Sequence, residues 1–308
     1  MPHLEFPVAP EEIGTHPAPF DELNPYFLNE EIWENVTYRV CETLCVLSSK
    51  AHCSAVLRVK LRPEASDVSV NDLTVICKVG WGRIHAQKIK KEAELYRDKL
   101  SHLQGDGLPW VYGCYDGVTD EGVTRVLVLE DCGQPLHKPL MECPATFRHL
   151  ACGVLVEVHK AGVIHNGFTE RNIVISVFND GPNEGKYAPV LVDFGEATEH
   201  QCPFNGNIQA DGLRPERSDI ICDEIYYSCM ESDFWRPAYI KVLDTEVPIA
   251  LATSAESLVQ HAGYSNSTQT VRRRALIEAK RAFSAHKDWE QARKAWDELP
   301  LMSEQDVL

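Results

Sequence analysis

The sequence has 308 residues, and its 44% hydrophobic and 25% charged content is sufficient for a large buried core. Thirty Lys and Arg stand against 46 Asp and Glu, and the resulting net charge of −16 opposes binding to nucleic acid or to an anionic membrane. No stretch approaches the about 20 apolar residues of a membrane-spanning helix, and the N-terminus carries no targeting pattern. We therefore predict a soluble globular protein whose partners include neither nucleic acid nor membrane.

The 11 cysteines are spread along the chain without a CxxC pair, and no histidine pair has zinc-finger spacing. Many of these cysteines lie within apolar runs. We interpret them as reduced thiols that pack as small apolar side chains, rather than as a zinc site or a disulfide framework. This cysteine usage predicts a cytoplasmic protein, with the nucleus as the alternative.

The first elements of the chain are predicted to form a sheet. Residues 1–30 contain six prolines among acidic residues, which oppose both helix and strand, so we predict an N-terminal extension there. Residues 36–60 and 73–79 are rich in β-branched and apolar side chains. Such runs are typical of strands, and a polar, proline-containing stretch separates them. The pattern predicts an antiparallel sheet.

Helical periodicity begins at residues 84–103, where Lys, Glu, Ala and Leu dominate and a Gly-Asp-Gly-Leu-Pro segment follows. Two further strand-like runs lie at residues 110–115 and 123–129. Beyond them the composition changes. Apolar residues recur at helical spacing in residues 143–160, and residues 271–298 are also helix-like. The second half is therefore predicted to be mainly helical.

A charged residue, Lys78, lies within the otherwise apolar strand at residues 75–79. A buried ammonium group is costly unless an anion pairs with it. Glu92, on the helix predicted next along the chain, can supply that anion. Glu94 is the alternative partner.

Two short motifs follow the helix at residues 143–160. The first is IHNGFTERN, which contains His165 and Asn172, and the second is VDFG, which contains Asp193. A predicted hairpin, with strands at residues 173–177 and 190–192, separates them. In this order, the lysine, the glutamate and the two motifs resemble the protein kinase superfamily. The amino-acid sequence of residues 73–202 is similar to the sequences of kinase-like proteins of filamentous fungi.

The resemblance implies an α+β fold with two lobes. The first lobe, a small antiparallel β-sheet with one helix, is expected at residues 31–130. The second lobe, mainly helical, is expected at residues 131–308. In this interpretation residues 1–30 are the proline-containing extension.

The resemblance also implies a binding site for ATP. Lys78 and Glu92 are expected to hold the nucleotide phosphates, as a strand lysine and a helix glutamate do in that family. The segment with Glu130 and Cys132, next to Gly133, is expected to bind adenine through its backbone. Both pairs are thus predicted cofactor-binding residues.

The implied catalytic residues are His165, Asn172 and Asp193, of which Asn172 and Asp193 are the expected ligands of Mg²⁺. The sequence departs from the family pattern at the catalytic loop. Gly167 stands where the family has the aspartate that accepts the proton of the substrate hydroxyl. Glu170 is the nearest substitute base and needs a rebuilt loop to act.

The phosphate-covering loop is a second departure, because residues 47–54 contain no glycine. The leading interpretation is a pseudokinase or a very weak kinase that binds ATP and Mg²⁺ and acts through a protein partner. The alternative is an active phosphotransferase, either a Ser/Thr protein kinase or a small-molecule kinase, that uses a displaced base. A third reading is an unrelated α+β binding module.

Overall fold

The computed structural model describes residues 3–15, 19–33, 36–64, 72–177 and 187–298. The chain divides into two compact units. The first unit is drawn from Met1–Pro135, Glu157–Val177 and Ala188–Cys202. The second unit is drawn from Leu136–Val156, Phe178–Tyr187 and Pro203–Leu308.

The first unit is built on a large β-sheet. Its strands are β1 (Leu4–Pro7), β2 (Gly14–Thr15), β3 (Phe20–Leu28), β4 (Tyr38–Lys50), β5 (Ser54–Pro63), β6 (Leu73–Trp81), β7 (Val111–Thr119) and β8 (Gly122–Glu130). They follow the order β1-β3-β7-β8-β6-β5-β4-β2. In addition, β1 pairs with β4 in parallel, with Leu4 opposite Tyr38. This pairing closes seven of the strands into a mixed β-barrel.

The predicted two-lobed protein-kinase-like fold is therefore wrong. We expected a small antiparallel sheet, and the structure has a closed barrel that includes a parallel pair. The reason lies in residues 1–30, which were predicted to lack strands and instead supply β1 and β3. Pro7 is the last residue of β1, and Pro25 lies at a register shift between β3 and β7. Proline is tolerated at such positions because a ladder hydrogen bond is already absent there.

Most individual elements agree with the sequence pattern. The predicted strands before residue 130 correspond to β4 to β8. The predicted helices correspond to α1 (Gly82–Asp98), α2 (Ala145–Lys160) and α5 (Gln269–Asp297). Local periodicity thus predicted the elements, whereas the pairing of the strand edges was not predicted.

The barrel core follows from the alternation of side chains along its strands. In β5, Ala55, Leu57, Val59 and Leu61 are buried while the residues between them are partly exposed. Successive residues of a strand point to opposite faces, so one face of β5 enters the core. Helix α1 packs against β6 and β8 and buries one face, formed by Ala86, Ile89, Glu92, Ala93 and Tyr96.

Smaller sheets complete the first unit. Strands β9 (Gln134–Pro135), β11 (Ile173–Val177) and β12 (Tyr187–Leu191) form a sheet in the order β12-β11-β9. The two strands of the predicted hairpin are present, while residues 178–186 between them lie outside the described residues. Strand β10 (Val163–Ile164) pairs with β13 (Thr198–Glu199) in antiparallel orientation.

The second unit contains most of α2, together with α3 (Asp223–Glu231), the hairpin β14 (Tyr239–Val242) and β15 (Thr245–Pro248), α4 (Ala255–His261) and α5. Its core joins the hairpin to α4 and α5, with Val242, Leu258 and Ala275 fully buried. Among the helices of the described segments, none combines the length and the apolar character needed to cross a lipid bilayer.

Candidate functional site

A cavity of about 510 Å³ lies within the first unit. This volume is in the range of small-molecule sites. Apolar side chains from the barrel and from the small sheet form part of its wall: Val56, Ile76, Leu129, Val174 and Val192. Charged and polar side chains line another part of it: Lys78, Glu130, Asp131, Arg171, Asn172 and Asp193.

The wall changes from apolar to charged along β6. Ile76 and Lys78 share one face of the strand because alternate residues point the same way, about 7 Å apart. Leu129 of β8 lies opposite Ile76, and Val56 of β5 lies opposite Lys78. A ligand along this face therefore meets aliphatic groups before it reaches the ammonium group.

Lys78 is held by two carboxylates. Its Nζ donates to Glu92 Oε1 at 2.6 Å and Oε2 at 2.7 Å, and to Asp193 Oδ1 at 2.6 Å. The predicted ion pair of Lys78 with Glu92 is thus present. Glu94 lies elsewhere on α1, where its Oε1 accepts a hydrogen bond from the Tyr26 hydroxyl at 2.7 Å.

Three elements fix this cluster. Lys78 lies in the middle of β6, between β5 and β8, and Glu92 lies on the buried face of α1. Asp193 follows β12 in a left-handed conformation, with φ of 66°. The backbone N–H of the next residue, Phe194, donates to Glu92 Oε1 at 3.0 Å. Glu92 therefore anchors both the lysine and the turn that carries Asp193.

Burial and charge act in opposite directions on the cluster. Burial alone would lower the pKa of Lys78, but the charges of Glu92 and Asp193 outweigh it, so the pKa lies above its ordinary value. Burial would raise the pKa of Asp193, and the charge and hydrogen bonds of Lys78 reverse that effect and lower it. Burial raises the pKa of Glu92 and Lys78 opposes the rise. With Lys78 protonated and both carboxyls ionised, the cluster carries one excess negative charge.

His165 and Asn172 lie beside the cluster but differ in their access to the cavity. His165 is 1% exposed, its Nε2 is 3.0 Å from the Val192 carbonyl oxygen, and its ring packs edge-on against Phe194. Its place is that of a positioning residue, which supports the backbone on both sides of Asp193. Asn172 lines the cavity, and its Nδ2 donates to the Gly167 carbonyl at 2.9 Å. This bond leaves the amide oxygen available to a ligand.

Gly167 has no room for a large side chain without adjustment. A Cβ added there would lie 3.2 Å from Asn172 Nδ2 and 3.4 Å from His165 Nδ1. Glu170, the alternative base, begins the short 3-10 turn Glu170–Asn172. Glu170 is not among the described residues that line the cavity.

The segment from Glu130 to Gly133 forms one edge of the cavity. Glu130 Oε2 accepts a hydrogen bond from the Trp110 N–H at 3.1 Å. Burial, together with the charge of Glu130, raises the pKa of the Cys132 thiol, so this cysteine stays neutral. Its side chain therefore supplies no thiolate, and its backbone is the stronger polar contact for a ligand.

Sequence reasoning missed the ion pair that fixes this segment. Arg58 of β5 donates to the Asp131 carboxylate and, at 2.7 Å, to the Gly133 carbonyl oxygen. The sequence gives no clear signal for it, because Arg58 is one of three basic residues on the face of β5 that points away from the core. Val174 and Val192 line the cavity, but the sequence shows only that they are hydrophobic, which does not identify them as site residues.

The donor atoms present fit a nucleotide with a divalent cation. Carboxylate and amide oxygens, as on Asp193 and Asn172, are the ligands that Mg²⁺ prefers. The aliphatic side chains can contact a flat base, and Lys78 can contact phosphate oxygens. Of the predicted catalytic and cofactor-binding residues, Lys78, Glu130, Cys132, Asn172 and Asp193 line the cavity, and Glu92 and His165 do not.

Comparison with known proteins gives no match to any family model or to any curated protein. The resemblance to protein kinases therefore has no support from this source, and the closed barrel contradicts it.

Proposed function

We propose that the first unit binds a nucleoside triphosphate, ATP, as its Mg²⁺ complex, and transfers its phosphate slowly or not at all. The observation that carries this proposal is the position of Lys78, held between Glu92 and Asp193 at the charged part of a cavity that also has an aliphatic wall. A ligand with a flat apolar body and an anionic tail matches both parts.

The charge of the cluster argues for a cation as part of the ligand. Lys78 contributes one positive charge, whereas Glu92 and Asp193 contribute two negative ones. A bare triphosphate would meet a net repulsion here. A bound Mg²⁺ supplies the positive charge that offsets the phosphates, with Asp193 and Asn172 as its protein ligands. Binding should therefore require magnesium.

The hydrogen bonds of the cavity argue against fast phosphoryl transfer. A general base needs a carboxylate or similar group within reach of the attacking hydroxyl. Three carboxylates line the cavity among the described residues, and each is engaged: Asp193 by Lys78, Asp131 by Arg58 and Glu130 by the Trp110 N–H. Loss of a general base commonly slows a reaction by about 10²- to 10⁴-fold.

The experiment that tests nucleotide binding is thermal unfolding of the full chain with ATP and Mg²⁺, with ATP alone and with Mg²⁺ alone. A ligand that binds only the folded state raises the unfolding temperature by mass action, in proportion to ln(1 + [L]/Kd). We expect a rise with ATP and Mg²⁺ together, no comparable rise with either alone, and loss of the rise in Lys78→Met and in Asp193→Asn.

Lys60→Met is the matched control, because Lys60 is also a strand lysine in an ion pair, with Glu42 at 2.6 Å, and lies outside the cavity. This variant should keep the response to ATP. An equal response in Lys78→Met and wild type would contradict the proposal. Phosphoryl transfer at an ordinary enzymatic rate, abolished by Asp193→Asn, would replace it with an active phosphotransferase.

We also propose the cytoplasm or the nucleus as the compartment and a protein as the downstream partner. None of the 11 cysteines, all of which lie within the described residues, forms a disulfide, as is usual in reducing compartments. A binding protein without turnover acts through its surface, so the partner should be sought by its response to bound ATP.

A further inference from the structure

Three potential metal ligands of the first unit converge outside the cavity. They are His159, in the last turn of α2, and His200 and Cys202, which follow β13. One donor atom from each lies within 4.8 Å of the other two. The two imidazole rings are nearly perpendicular, with centroids 5.4 Å apart and an interplanar angle of 82°.

The backbone brings these residues together. Gly162 ends α2 in a left-handed conformation, with φ of 84°, and β10 then pairs with β13, with Val163 opposite Glu199. The N–H of His200 donates to the Gly162 carbonyl at 2.8 Å. This pairing places the end of a helix beside a segment that is distant in the sequence.

The side chains are withdrawn from solvent. His159 is 1% exposed, and His200 and Cys202 are partly buried. The Nε2 atom of His200 is buried and has no hydrogen-bond partner among the residues that the structure describes. A buried polar atom without a partner is costly, and a metal ion at this point would satisfy it.

We propose that His159, His200 and Cys202 bind a zinc ion. Two imidazole nitrogens and a thiolate are a donor set that suits Zn²⁺ and not Mg²⁺ or Ca²⁺. Zinc lies about 2.0–2.3 Å from such donors. Small side-chain movements therefore bring the three atoms to coordination distance. A water molecule or a further donor completes the tetrahedron.

The ion has a structural role in this proposal. It links the end of α2 to the segment that follows Asp193 and Phe194 in the chain. Its three bonds to protein side chains reinforce the short pairing of β10 with β13. Structural zinc contributes directly to folding free energy. Removal of zinc should therefore lower the unfolding temperature.

The test is metal binding by the full chain after chelation. We expect one Zn²⁺ per chain after dialysis, by elemental analysis, and a rise in the unfolding temperature. Cobalt in place of zinc should give a thiolate-to-cobalt charge-transfer band. Cys202→Ser should remove that band. His200→Ala should weaken zinc binding by about 100-fold or more, because losing a residue that merely hydrogen-bonds a metal ligand already costs about 10- to 100-fold in affinity.

Cys53→Ser is the matched control, since Cys53 is also a partly buried cysteine and lies in the turn between β4 and β5. It should retain the band and the stoichiometry. Failure of wild-type protein to bind zinc overturns the proposal whether or not the variants fold. Persistence of the thiolate band in folded Cys202→Ser overturns it as well.

Discussion

Gly133 lies at the cavity edge in a backbone conformation that glycine adopts most readily. Its φ is 114°, a conformation that side chains rarely adopt, and its carbonyl oxygen accepts a hydrogen bond from Arg58. An added Cβ would lie 2.4 Å from the Ile175 carbonyl oxygen. Glycine is therefore required here both for the backbone conformation and for the close approach of β11.

We expect Gly133→Ala to lower the free energy of unfolding by about 2–6 kcal/mol, because strain at positive φ and overpacking each cost about 1–3 kcal/mol. Gly122→Ala separates the two effects. Gly122 has φ of 91° with no atom within 4 Å of an added Cβ. Denaturant unfolding of both variants measures the two losses of unfolding free energy. Equal losses would show that the contact with Ile175 adds nothing to the cost of Gly133→Ala.

Asp193 gives the site a pH dependence whose sign follows from its pKa. Burial would raise that pKa, but Lys78 lowers it below the ordinary value of 3.8. A carboxyl with a lowered pKa in the folded state stabilises the protein above its unfolded pKa, and the contribution is lost as the pH falls through the folded pKa. The stabilisation by Asp193 is therefore complete at neutral pH, begins to fall near the ordinary pKa of 3.8, and is lost as the pH falls through the lower pKa of the folded state.

Asp193→Asn tests this dependence and keeps the left-handed turn, since asparagine tolerates positive φ. Denaturant unfolding should show a gap in stability between wild type and variant that is largest at pH 7 and shrinks below pH 3.8. A gap of the same size at pH 7 and at pH 2.5 would show that the ion pair with Lys78 adds nothing.

At the scale of elements, β1 is the strand on which barrel closure depends. It lies between β3 and β4, with Leu4 opposite Leu23 on one side and Tyr38 on the other. Leu4 is fully buried in the barrel core. Its side chain therefore packs at the seam where the sheet closes.

Leu4→Ala should cost about 3 kcal/mol of unfolding free energy, the usual loss for a buried leucine. Val8, just beyond β1, is 41% exposed, so Val8→Ala should change stability by less than about 0.5 kcal/mol. Chemical denaturation of both variants compares them. A loss below about 1 kcal/mol in Leu4→Ala would mean that the seam is not a packed part of the core.

Elements with a clear period could be predicted from the sequence. The alternation of β5 and the apolar stripe of α1 follow from side-chain geometry alone. The contact of Lys78 with Glu92 was also predictable, because a lysine in an apolar strand needs a buried anion and the next helix offers one. The strands β1 and β3 were missed because their prolines lie at a strand end and at a register shift, which the sequence does not reveal.

At the scale of the whole molecule, the fold could not be derived from these elements. Periodicity tells which face of a strand is buried, but it does not tell which strand lies at each edge. The motifs around His165 and Asp193 describe local turns, and similar turns occur in unrelated arrangements. The grouping of His159, His200 and Cys202 was missed for the same reason, since it depends on the pairing of two distant strands.

The strand order also constrains when the barrel can form during synthesis. Among the barrel strands, β3 must pair with β7 and β6 must pair with β8, although β7 and β8 are made after all the others. The barrel cannot close before both β7 and β8 have been made, because each of them lies between two other barrel strands. The nascent chain therefore holds β3 and β6 unpaired on one side until β7 and β8 have emerged, and this interval is where a chaperone would have the most to protect.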